Sequence, residues 1–181
     1  MFLRIDRSIN LQLHSKSAVQ SFGSGAANDG QVMVENINRR RVLNLLDTFN
    51  SGDIEGALAR CTDDVEVIAP APVDILPHMG HRRGKAEVRQ MWQTIHARYS
   101  HMRHEVPTIV AEGDKVAVNM RQFFRKRSNE RIVQFDVAIF ITLREGRVTQ
   151  IREIMDTYDL VQQVLERDLG ALLIGQRPDE A

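Results

Sequence analysis

The chain has 181 residues, close to one ordinary domain, and its 24 Lys and Arg cancel its 24 Asp and Glu, which argues against a multidomain machine and against a nucleic-acid binder driven by net charge. An apolar content of 43% beside 27% charged residues supports a packed core rather than global disorder. The one cysteine, Cys61, forms neither an internal disulfide nor, by itself, a zinc site, which fits a reducing, cytoplasmic setting. No apolar run in the sequence approaches the roughly 20 residues that span a bilayer, so neither membrane nor nucleic acid is an expected partner.

Residues 1–32 differ from the rest. Ser17, Ser21, Gly23, Ser24, Gly25, Ala26, Ala27, Asn28, Asp29 and Gly30 make a small, polar run without apolar period, and Phe2-Leu3-Arg4-Ile5-Asp6-Arg7 interrupts the apolar stretch a secretory signal needs. Three readings fit: a tail, a transit peptide carried by Arg4, Arg7 and Lys16, or a start read too early, since Met33 directly precedes the first helical pattern. The folded domain is expected over 33–172, with a polar end at 173–181.

Val42, Leu45, Leu46 and Phe49 recur at helical steps and predict a helix over about 37–50. Ser51-Gly52-Asp53 stops it and offers Asp53 as N-cap of a short helix, 54–61, with Leu58 facing in. Val65 to Ile68 reads as a strand, and 69–84, with Pro70, Pro72, Pro77 and Gly80, as a loop carrying Asp74, His78 and His81. Val88, Met91, Trp92 and Ile95 give a third helix at about 85–98. The period then changes: 102–112, 115–126, 131–144 and 147–158 read as strands separated by short turns, hence antiparallel, before a closing helix over about 159–171. Helices followed by an antiparallel sheet make the fold class α+β.

That order, with Asn50-Ser51-Gly52-Asp53, Thr62-Asp63-Asp64-Val65, Gly84, Glu145-Gly146-Arg147-Val148 and Ile151-Arg152-Glu153, resembles the SnoaL-like branch of the nuclear transport factor 2-like superfamily over about residues 34–170. Its relatives include polyketide cyclases, limonene epoxide hydrolase and ketosteroid isomerase. The resemblance implies three N-terminal helices on a strongly curved antiparallel sheet forming a cone, a cystatin-like α+β roll. It also implies a small apolar organic molecule in the cone and a homodimer through the outer sheet face.

Strand alternation selects the residues that line such a cone. Val133, Phe135, Val137, Ile139 and Ile141 form the apolar, inward set; on the preceding strand Val118, Met120, Gln122 and Phe124 share the inner face, and on the last one Thr149, Ile151 and Glu153 do. The resemblance places Glu153 where the family holds its acidic acid/base residue. A carboxyl among Phe135, Val137, Met120 and Ile151 loses hydration, which raises its pKa toward neutrality and suits it to proton transfer. Glu153 is therefore the leading catalytic candidate; the competing reading is a glutamate at the cone mouth that pairs with Arg121 or Arg152 or stays hydrated. Gln122 is expected either to donate a hydrogen bond to a substrate oxygen or to be a satisfied core residue. Met120, Phe135, Val137, Ile151, Trp92 and His78 complete the expected binding surface, Trp92 being first a core residue and His78, at the mouth, an acid/base partner or a substrate contact, against the plainer reading of an exposed loop histidine without a role.

Met120 and Gln122 stand where the epoxide hydrolase pattern has an Arg and an Asp, and no secure match exists for the isomerase's oxyanion pair. The expected activity is thus cofactor-free, metal-free acid/base chemistry of cyclase or isomerase type on an apolar, carbonyl-bearing or polyketide-like molecule. The alternatives are a non-catalytic ligand-binding or dimerisation domain and, more weakly, an epoxide hydrolase. Histidine spacing gives no zinc motif, Gly23-Ser24-Gly25 lacks the context of a dinucleotide fingerprint, and Asp156 is expected to cap the closing helix. Arg121, Asp136 and Arg152 are expected on the outer sheet face.

Overall fold

A computed structural model of the protein describes residues 24–173. Helix α1 runs Ser24–Asn50 and α2 Ile54–Ala59; strand β1 spans Cys61–Ala69 and β2 Gly80–Arg83; α3 covers Gly84–Arg98. The meander follows as β3 Tyr99–Glu112, β4 Lys115–Lys126, β5 Ile132–Arg144 and β6 Arg147–Met155, and α4 Thr157–Leu165 and α5 Leu169–Leu173 close the chain.

The expected elements are all present, with four differences. Helix α1 begins at Ser24, so residues 24–32 of the expected tail are helical, while 1–23 and 174–181 lie outside the described residues. Extending a helix already nucleated on the core adds one hydrogen bond per residue, so a small polar run without periodicity can continue it. Second, the 69–84 segment contains a strand, β2, which pairs with β1. Third, the closing helix is two helices: Glu166 takes a left-handed conformation (φ 57°) and ends α4. Asp156 caps α4 as expected, accepting from the amides of Tyr158 (3.0 Å) and Asp159 (3.1 Å), and this stops β6 at Met155 rather than 158.

Fourth, the sheet is not wholly antiparallel. Its strand order is β2-β1-β6-β5-β4-β3, and β1 lies parallel to β6, Val67 opposite Ile151. Short turns dictate antiparallel pairing only between strands they join; β1 and β6 are joined by most of the domain, so turn length says nothing about their direction. Register shifts interrupt β3 twice, between Tyr99 and Met102 and, across Pro107, between Glu105 and Thr108, and also β1 and the β5–β6 pair. Such bulges bend and twist a sheet, and a proline is tolerated in β3 because it is an edge strand.

Alternate residues of the curved strands therefore converge on one concave face. Val116, Val118, Met120, Gln122 and Phe124 of β4 are buried there, as are Val133, Val137, Ile139 and Ile141 of β5. Helix α3 covers this face with Val88, Met91, Trp92 and Ile95, and α1 adds Val42 and Leu45. Polar clamps fix α1 to the meander: the Asn38 amide donates to the Gly113 carbonyl (2.9 Å), and His104 lies 2.6 Å from the Asn50 amide and 3.4 Å from the Asp47 carboxylate.

Glu145 and Gly146 form the two-residue turn between β5 and β6, both at positive φ (53° and 77°), which matches the twist of the flanking strands. Gly146→Val is expected to strain this turn and lower stability by about 1–2 kcal/mol, read as a lower urea midpoint at unchanged slope.

Candidate active site

A cavity, open at its mouth, lies between the concave face, α3, the loop before β2 and helix α4. Its walls come from Phe135, Val137 and Ile139 of β5, Met91 and Ile95 of α3, Leu76 and Met79 of the loop, and Leu160 and Val164 of α4. Tyr99 and Phe124 (5.2 Å between ring centroids) and Phe124 and Phe135 (5.5 Å, edge-on) form an aromatic run along one wall. Three polar side chains interrupt this surface besides the Tyr99 hydroxyl: Glu153, Gln122 and His78.

Glu153 sits on β6 opposite Ile139. Burial alone pushes its pKa up to about 7, with no hydrogen-bond donor or cation acting against it. The residue is half-buried and lines the cavity. Pairing with arginine is ruled out by side: Arg121 and Arg152 are exposed on the opposite, convex face, and Arg121 bonds Asp136 through two contacts of 2.7 and 3.0 Å. Arg152 stands opposite Phe140, not beside Asp136, so the three expected outer charges form one pair and one separate cation.

Gln122, buried opposite Phe135, has an unmet amide. Its Nε2 donates only to the Met120 sulfur (3.8 Å), and its Oε1 is buried without a partner. A thioether is a weak acceptor, so rotating the amide by half a turn presents N–H or C=O to the cavity at little cost. His78 departs from the expected mouth contact: the ring is buried, its Nδ1 unpartnered. Burial, reinforced by the nearby charges of Arg98 and Arg82, lowers its pKa to about 4. It is a neutral hydrogen-bonding group at pH 7, not a titrating acid/base partner.

The structure thus brings Glu153, Gln122, Phe135, Val137 and His78 to one cavity. Met120, Ile151 and Trp92, also expected there, are buried in the core without lining it; Trp92 packs behind Phe49 (5.3 Å), which takes the wall position. Sequence reasoning missed Tyr99, because it lies just before the first residue assigned to its strand, and the α4 contributions of Leu160 and Val164. The single thiol, Cys61, is buried with its pKa pushed up to about 11, which makes it inert. Among the described residues no cluster of His, Cys, Asp and Glu could hold a metal ion, and no helix is long and apolar enough to cross a membrane.

Residues 42–151 match the family model of the SnoaL-like domain. Among solved structures, a protein assigned as an isomerase from Rhodopseudomonas palustris is 27% identical over 68% of this chain and 91% of its own, with a TM-score of 0.62. An NTF2-like protein from Burkholderia xenovorans LB400 is 28% identical over 72% and 97% of the two chains (TM-score 0.60). An LEH-like epoxide hydrolase from M. tuberculosis shares the fold at 21% identity, over 77% and 97% (TM-score 0.58). No curated protein matches the chain.

The raised pKa of Glu153 has a signed consequence. The folded state binds its proton more tightly than the unfolded state, whose carboxyl titrates near the ordinary value of 4.5, so this group's contribution to stability falls as pH rises from there through about 7. Glu153→Gln is expected to stabilise the protein by about 3 kcal/mol at pH 8.5 and by little at pH 4.5, measured as the pH dependence of the difference in Tm.

Proposed function

Because the chain belongs to the SnoaL-like domain family, whose NTF2-like fold also carries isomerase- and epoxide hydrolase-assigned proteins, we propose that it is a cofactor-independent enzyme that moves a proton beside a carbonyl group. The substrate is an apolar, polyketide-like molecule held in the cavity, and the reaction is an isomerisation or a ring closure. The observation that carries this reading is a carboxyl with no protein partner, at a pKa of about 7, facing an apolar chamber. A carboxyl poised near the working pH serves both as base and as acid.

In its ionised form Glu153 takes a proton from the carbon next to the carbonyl, and the electron pair moves onto the oxygen to give an enolate. The Gln122 amide, with its N–H turned to the cavity, donates a hydrogen bond to that oxygen. Returning the proton from Glu153 to a different carbon completes an isomerisation. If the enolate carbon instead attacks a second carbonyl of the same molecule, a carbon–carbon bond forms and Glu153 protonates the new alkoxide. Phe135, Val137 and the Tyr99–Phe124 pair supply the apolar surface that holds the substrate and excludes water.

The same reading includes a homodimer. The convex sheet face exposes Phe140 (49%) and Ile154 (54%) on neighbouring strands, beside the Arg121–Asp136 pair, and apolar residues with a polar surround suit an interface between copies. Phe140→Lys is expected to shift the protein to a monomer in sedimentation velocity; an unchanged sedimentation coefficient rejects this face as the interface.

The activity is tested by identifying the compound that co-purifies from a metabolite extract and following its turnover. Glu153→Gln is expected to keep the ligand affinity within a few-fold while lowering kcat by about 10² to 10⁴. Wild-type kcat is expected to change through a group titrating near 7. Turnover by Glu153→Gln at the wild-type rate rejects the assignment.

A further inference from the structure

A second concavity adjoins the cavity from outside. Ala97 and Arg98 at the end of α3, Lys126, Arg127 and Ser128 at the end of β4, and the two cavity residues Tyr99 and Val164 line a groove of about 660 Å³, open side included. Tyr99 and Val164 therefore form a threshold, with one face to each space.

Among the described residues the groove carries three cations, and only one is matched by a carboxylate. The ammonium of Lys126, itself buried, donates to the Val164 carbonyl (2.8 Å) and to Glu166 (2.6 Å). Arg125 and Arg131, on the same hairpin, are each paired with a glutamate. Arg98 and Arg127, which line the groove, have no carboxylate within ion-pair distance among the described residues. Arg127 is held in place, its Nε donating to the His96 carbonyl (3.1 Å) and its amide to the Arg98 carbonyl (2.9 Å). The charge of Arg98 acts on Tyr99 and His78, both in the cavity wall.

The cavity itself has the opposite character: among the described residues Glu153 is the one carboxylate in its wall, and no Lys or Arg lines it. An anion inside would lose its hydration and meet a second negative charge. The groove outside offers guanidinium groups with no competing acid, the donors that bind carboxylate and phosphate oxygens most effectively.

We propose that this groove is an anion subsite, in which a ligand whose apolar body fills the cavity rests a carboxylate or phosphate on Arg98 and Arg127 across the threshold of Tyr99 and Val164. The proposal deepens the functional reading above, resting on its claim that the cavity takes an apolar body, and it fixes the ligand's direction: charged end out, uncharged reacting end toward Glu153.

Decanol, decanoate and decyl phosphate, titrated separately by calorimetry at pH 7.5 and low salt, separate these contributions, since the three share a chain and differ in head group. Decanoate, decyl phosphate or both are expected to bind at least tenfold more tightly than decanol, and the tighter of the two tells carboxylate from phosphate. Arg98→Gln/Arg127→Gln is expected to bring all three to the decanol affinity, and 0.5 M NaCl is expected to do the same to the wild type. Circular dichroism checks that the double variant is folded, and Arg98→Gln alone, expected to lose part of the gain, repeats the test on a smaller change. Decanol binding with no gain from either anionic head, or a gain that survives the double substitution, overturns the subsite. Absence of binding by all three overturns the apolar-cavity reading and the subsite with it.

Discussion

A carboxyl kept away from every donor and cation costs free energy in its charged form, and the curved sheet is what keeps Glu153 in that condition. Curvature sends alternate side chains of β4, β5 and β6 toward one centre, and helices α3 and α4 close over it. The cations that could relieve Glu153 are held off by the same geometry, because a strand period of two puts Arg121 and Arg152 on the convex side. Local packing is thus spent on an unstable protonation equilibrium, and an equilibrium near neutrality is what proton transfer requires. Gln122 and His78, buried with unmet hydrogen-bonding capacity, belong to the same pattern. Orphan polar atoms are uncommon in protein interiors, and two of the four among the described residues belong to these side chains of the chamber wall.

Much of this was legible in the sequence, for definite reasons. The helices announced themselves through periodic apolar residues such as Val42, Leu45 and Phe49, and the strands through alternation bounded by Gly113-Asp114 and Glu145-Gly146. Alternation also placed Glu153 and Gln122 on the inner face, because a two-residue period leaves no third option. What remained hidden depends on contacts distant in sequence. The parallel pairing of β1 with β6 leaves no local mark. The depth of His78 follows from how a proline-rich loop folds back over α3, and its composition pointed to solvent. Trp92 and Met120 are large and apolar, as wall residues are, but side-chain type cannot distinguish the wall from the layer behind it.

Charge is distributed by the same logic. The overall balance of 24 against 24 conceals an apolar chamber with one carboxyl, ion pairs on the convex face and at the β1–α3 junction, and a basic groove beside α4 in which Lys126 meets Glu166. Arg83 and His81 meet Glu66, and Lys85 meets Asp63, while Arg82 between them donates to the Pro77 and His81 carbonyls. Net charge excludes a charge-driven partner for the whole molecule but says nothing about a site a few residues wide.

The pairing of β1 with β6 also bears on how the molecule assembles. Residues 66–68 rest against 150–152, so a contact across more than eighty positions must close before the sheet has its full set of neighbours. Contacts of such separation slow folding, because the loop between them is ordered before they repay it. During synthesis the helices and the β3–β4 hairpin can form early, but Glu153 leaves the ribosome on the strand that completes the sheet. The chamber and the residue proposed to act in it therefore come into being together, at the last step, and a chain stalled before β6 is left with an unpaired β1 flank and an open apolar face.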